Sequence, residues 1–255
     1  MLKRLLSDSV SLVFGNLEAV FKVCGSWFVL QFVLMTIIQL SIGDSGRLEA
    51  NPGAAVLLSL VVMIFSLVSS ASISVAWHRF GLIGEQPGLI HLKFSGVEFS
   101  FVLKSLLLGL LMIGAWLVVM LIHFTIGAPA ITGVFALLVM AFAIPTFFRF
   151  SLILPATAVE RPIGLGQAYA ISEGLGWRMF LATIILALPF VLGGMFIGYL
   201  LQEVAGGLPL LLIQMKMLVL NVLIQIIVTV LGISVLTAGY RMAMENRSVE
   251  PQVFD

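Results

Sequence analysis

Phe147-Phe148-Arg149 ends one apolar run, a polar link containing Glu160-Arg161-Pro162 follows, and Gly174-Leu175-Gly176-Trp177-Arg178 opens the next apolar run before Phe180. The same joint recurs along the chain. Trp77-His78-Arg79 closes an apolar run and leads to Gly96, Gly15 precedes the first long run, and Tyr240-Arg241 follows the last. Long apolar runs joined at polar, glycine-bearing links describe a helix bundle, and the composition decides which solvent it lives in. Of 255 residues, 61% are hydrophobic and 10% charged, whereas a soluble domain carries about 25% charged residues. Mean hydropathy is +1.19. The chain is therefore expected to be an all-α polytopic membrane protein.

A helix needs about 20 apolar residues to cross roughly 30 Å of hydrocarbon. Six stretches qualify: 23–42, 54–76, 101–126, 131–154, 179–201 and 213–238. The third and fourth are separated only by Gly127-Ala128-Pro129, read as a tight turn. Before the first span, Leu2, Leu6, Val10, Val13, Leu17, Val20 and Phe21 recur at helical spacing, with Lys3, Ser7, Ser11 and Glu18 on the remaining surface. That pattern predicts one amphipathic helix in the membrane interface rather than a cleaved signal segment.

The formal net charge is +1, but its placement matters more than its sum. Eleven Lys and Arg residues fall at one end of the spans, and only Arg47 and Lys216 at the other. By the positive-inside rule both termini and the two long links are expected to be cytoplasmic. No basic patch for nucleic acid is present. Cys24 alone excludes an internal disulfide or a cysteine-rich metal site.

The joints define a repeat. Gly15, Gly96 and Gly174 open, and Arg79, Arg149 and Arg241 close, units of approximately 1–80, 81–150 and 151–241, followed by a short tail over 242–255. Because each unit starts and ends on one side, the reading is a single integral membrane domain of three parallel helical hairpins with short interfacial helices. It is not the inverted pair of many secondary transporters.

Candidate functional residues are few. Arg79, Arg149 and Arg241 beside aromatic residues are candidate contacts for anionic lipid headgroups, though arginine with aromatics also simply anchors span ends. His78, Glu85 and His91, read as sharing one cytoplasmic link, could hold zinc or carry acid–base chemistry. The two histidines stand thirteen residues apart across Pro87-Gly88, which matches no metal motif. No cofactor site is expected. Gln214, Asn221, Gln225 and Thr229 follow at steps of seven, four and four, close to one face of the sixth span. They would either line a hydrated path or hydrogen-bond between helices. Ser66, Ser70 and Ser74, and the Gly194/Gly198 pair, are expected to let helices approach closely. No Asp or Glu lies mid-span, which weakens an ion-coupled carrier.

Val75-Ala76-Trp77-His78-Arg79-Phe80 with Leu82 and Gly84-Glu85, and Ala168 through Trp177-Arg178, resemble signature stretches of bacterial six-span inner-membrane proteins. These are the YciC-like proteins and the membrane domains fused to some glycerophosphodiester phosphodiesterases. The resemblance implies the six-span fold in a bacterial inner membrane and no defined activity; no stretch of these residues reads as the phosphodiesterase catalytic domain, so that activity is not expected. A membrane-embedded interaction or scaffold protein is the reading favoured, with the lipid bilayer, anionic headgroups or a membrane-protein partner as its contacts. A facilitator of a small or lipidic substrate along the sixth span is the alternative, and a membrane enzyme using His78 and His91 comes third.

Overall fold

The computed structural model describes residues 1–42, 52–204 and 210–249, with side chains over 1–38, 53–201 and 215–246. These residues form α1 (Leu2–Phe14), α2 (Leu17–Ile42), α3 (Pro52–Ile83), α4 (Gly96–Ile126), α5 (Pro129–Phe150), α6 (Ile153–Ala158), α7 (Leu165–Ile171), α8 (Gly176–Val204) and α9 (Leu210–Val249). There is no strand among the described residues. Six helices, α2, α3, α4, α5, α8 and α9, are long and apolar enough to span a membrane, which makes the chain a multi-pass membrane protein. The turn between the third and fourth spans is where the sequence places it. Gly127 adopts the left-handed conformation (φ 65°), its N–H bonds the His123 carbonyl, and Pro129 starts α5, the position where its missing N–H does no harm.

Helices α2 and α3, α4 and α5, and α8 and α9 pack as sequential hairpins; α3 lies against α4, α5 against α8, and α9 returns onto α2 and α3. At the end that holds the chain termini, α6 inserts among α3, α4 and α9, with Ile153, Pro155, Ala156, Thr157 and Ala158 all buried. The first and last helices meet there, and Arg4 pairs with Glu245 at 2.6 Å. This terminal end carries the core. Beyond Phe28, before Ser69, between Leu108 and Ser151, beyond Ala182 and before Ile226, the described side chains are half-buried or exposed, apart from Val119, Thr132 and Gly198. Such exposure carries little penalty in a bilayer, because lipid tails are as apolar as the side chains they meet.

Several expectations are corrected. The N-terminal amphipathic stretch is not one helix. It breaks at Gly15-Asn16, so Leu17, Val20 and Phe21 belong to the first span. Helix α1 packs on α8 and α9 through Leu5, Ser9 and Val13, while Val10 is exposed; the buried stripe runs along the i, i+4 row that meets α9. Helix α3 continues to Ile83 and α9 to Val249, so His78 and Arg79 lie inside a helix rather than in a link, and the expected tail begins as helix. Polar residues read as ending these helices are instead paired across the bundle. The serine stripe is also shifted: Ser66 and Ser70 are exposed, and Ser69, Ser72 and Ser74 are buried, because α3 turns the face holding Ile73, Ala76 and Trp77 into the core. Gly194 and Gly198 do bring two helices together. A Cβ at Gly194 would meet Ile224, and one at Gly198 would lie 3.1 Å from Met217 Cε, both on α9.

Candidate functional site

Two regions hold the sequence-derived candidates. The first lies at the core end of α3. Trp77 is fully buried, and its indole N–H donates to Ser234 Oγ at 2.7 Å. The Ser234 hydroxyl in turn donates to the Val230 carbonyl. One residue on, His78 is also fully buried, with Nδ1 2.8 Å from Thr237 Oγ1. The Thr237 hydroxyl proton is already directed at the Ile233 carbonyl, so His78 donates through Nδ1–H and its Nε2 is left as an acceptor. That acceptor has no hydrogen-bond partner among the described residues. Ser234 and Thr237 were not singled out in the sequence. The available signal was that Trp77 and His78, if buried, each require a polar partner.

The three arginines share a local chemistry. Arg79 donates to the Ala158 carbonyl at 3.1 Å and to Glu160 at 3.0 Å, and its Nε meets Glu85 at 2.6 Å. Arg149 donates to the Tyr169 carbonyl, contacts Ser172 Oγ at 3.4 Å, and stacks 3.4 Å over the Tyr169 ring. Arg241 donates to the Gly81 carbonyl. Ala158, Tyr169 and Gly81 all lie in the last turn of a helix, where carbonyls lack intrahelical partners. Each guanidinium therefore caps a helix end contributed by another part of the chain. Glu160, paired with Arg79, takes φ 57° just after α6, a backbone conformation normally left to glycine.

His78 and His91 are not brought together as a pair. The first is enclosed by α3, α4 and α9, near Phe101 at 6.0 Å. The second lies half-buried in the link before α4. Among the described residues, no three His, Cys, Asp or Glu side chains group as metal ligands would. The link is instead organised by Ser95-Gly96-Val97-Glu98, a capping box in which Glu98 Oε2 accepts the Ser95 backbone N–H at 2.7 Å. Glu98 is 2% exposed.

Burial holds the His91 imidazole below its ordinary value; Lys93 pushes the same way, and Glu98 and Glu85 oppose them. A folded value depressed in this way means that the contribution of His91 to stability is complete above about pH 6.5 and is lost as pH falls below it. His91→Gln should flatten the acid-side decline in unfolding free energy. An unchanged slope in detergent unfolding titrations would assign that decline to other groups.

The second region is a cleft of about 660 Å³ between α8 and α9, in which Asn221 and Gln225 face Gly194, Gly198, Met195 and Tyr199. Both amides are exposed, and Thr229, one turn further on, is half-buried. The side chain of Gln214 lies outside the described residues. Asn221 and Gln225 stand open on the flank of a span rather than sealed in the bundle. No family model, no curated protein and no solved structure matches the chain.

Proposed function

We propose that the protein is a membrane-embedded interaction or scaffold protein of a bacterial inner membrane, built of three parallel hairpins with both termini in the cytoplasm. The observation that carries this reading is the exposure of Asn221 and Gln225 in the α8–α9 cleft. An amide facing hydrocarbon is penalised unless something covers it and returns its hydrogen bonds. A transmembrane segment bearing its own polar side chain would do both. Lys3, Arg4, Lys22, Arg149, Arg161, Arg178 and Arg241 gather toward the terminal end and Lys216 lies toward the other, which supports the cytoplasmic placement of the termini.

A photo-crosslinking residue placed at position 221 or 225 in intact cells should give a discrete protein adduct. Asn221→Leu and Gln225→Leu should each weaken recovery of that partner by roughly threefold, the effect of one interhelical polar contact of about 0.6 kcal/mol. Adducts to lipid alone would overturn the scaffold reading. The facilitator reading is favoured by one feature, the cleft along α9 in which Asn221 and Gln225 stand exposed. It requires water at mid-depth. Single cysteines at 221 and 225, in a chain lacking Cys24, would then react with a membrane-impermeant thiol reagent; protection at both positions removes that reading.

A further inference from the structure

We propose that the cleft between α4 and α5 binds an anionic phospholipid, with an acyl chain lying along the cleft and the acidic headgroup meeting Lys104 and Arg149. This site is separate from the α8–α9 cleft and does not depend on the role assigned there. Its volume is about 570 Å³, and its walls run from Leu108 to Ala115 on α4 and from Phe135 to Phe150 on α5, with Thr146 the polar side chain among them. The α5 wall is roughly 22 Å long at 1.5 Å per residue, enough for a chain that crosses one leaflet of about 15 Å. A smaller groove along Ala130, Ile131 and Val134 shares Phe135 and Leu138 with it and continues it toward the turn at Gly127.

An apolar slot alone would not choose its occupant, but the cations at its end do. Lys104 stands one helical turn before Leu108, on the same face of α4. Its ammonium meets Thr157 Oγ1 at 2.7 Å, a neutral partner that takes one of three N–H donors. Arg149 lies at the same end, because the Tyr169 ring beneath its guanidinium is 5.6 Å from the ring of Phe150, a wall of the cleft. Its other partners are the Tyr169 carbonyl and the Ser172 hydroxyl. Neither cation belongs to an ion pair among the described residues. Arg79, by contrast, is matched by Glu85 and Glu160. Two cations with neutral partners at the mouth of a hydrocarbon slot complement an amphiphile with a negative head. A neutral partner helix or a second copy of this chain packed in the slot would leave them uncompensated.

The test uses the purified full chain in neutral detergent, titrated with dioleoylphosphatidylglycerol, dioleoylphosphatidylcholine or inorganic phosphate and read by native mass spectrometry. The phosphatidylglycerol is expected to be retained in preference to the choline lipid. Lys104→Gln should lower its affinity about fivefold, the effect of one basic residue near an anionic surface, with choline-lipid retention unchanged. Ala143→Phe, which fills the slot, should remove bound lipid, and Lys22→Gln, whose cation is paired with Glu18, should change nothing. Should Ala143→Phe fail to fold, Lys104→Gln still decides. Equal retention of the two lipids, an unaltered Lys104→Gln, or displacement of the lipid by inorganic phosphate alone would overturn the proposal, as would a dimer that Ala143→Phe abolishes.

Discussion

Trp77→Ala is expected to lower the free energy of unfolding in detergent by about 3 kcal/mol, at the low end of the range for removing a buried Trp or Phe. The side chain is fully buried in a cluster with Val13, Val23, Ile73 and Leu231, so its removal leaves a hole that rigid helices cannot close. Much of the transfer contribution known from water-soluble proteins is missing here, because lipid is as apolar as the core. What remains is lost packing, together with the hydrogen bond to Ser234. Trp77→Phe separates the two. It keeps most of the ring volume and should cost about 1 kcal/mol, since Ser234 still donates to the Val230 carbonyl. An SDS unfolding titration of both variants checks the difference. Equal losses would mean that the hydrogen bond, and not the volume, holds α3 to α9.

This dependence on one end of the bundle explains how far the sequence could be read. The six spans follow from hydropathy alone, and the Gly127-Ala128-Pro129 turn from the conformations those residues prefer. The span-end arginines were visible as residue types, but their partners were not. Arg79, Arg149 and Arg241 reach carbonyls some 80, 20 and 160 residues away, and no local spacing encodes such pairings. His78 was misplaced for the same reason. Beside Arg79 it reads as a span end, yet Glu85, Glu160 and the Ala158 carbonyl absorb the arginine charge, which lets α3 continue to Ile83. Glu98 could have been found, since Ser95-Gly96-Val97-Glu98 satisfies the capping-box pattern. The amides of the last span were legible as a stripe. Whether they faced inward or outward depended on how α8 sits against α9, which Gly194 and Gly198 fix through Ile224 and Met217.

The glycines of the joint before α8 should be hard to replace. Gly174 adopts φ 69°, which a Cβ makes costly. Gly176 is constrained more severely, because a Cβ there would run into the carbonyl oxygen of Pro145 and lie 3.0 Å from its carbon and its Cβ. Those atoms are backbone and ring, so relief requires α5 and α8 to separate. Gly176→Ala is therefore expected to lose about 2–3 kcal/mol, the upper part of the range for overpacking. At Gly239 the added Cβ would meet Met179 Sδ at 2.5 Å, equally close on paper, but a thioether chain can swing aside. Gly239→Ala should lose about 1 kcal/mol or less. Gly166 in α7 has nothing within 4 Å of its added Cβ, and Gly166→Ala should be neutral or stabilising by up to about 1 kcal/mol through higher helix propensity. The order Gly176, Gly239, Gly166 in loss of unfolding free energy is the test. If Gly239→Ala lost as much as Gly176→Ala, a movable side chain would resist overpacking as firmly as backbone, and close approach of α5 and α8 would no longer account for the glycine at the start of the fifth span.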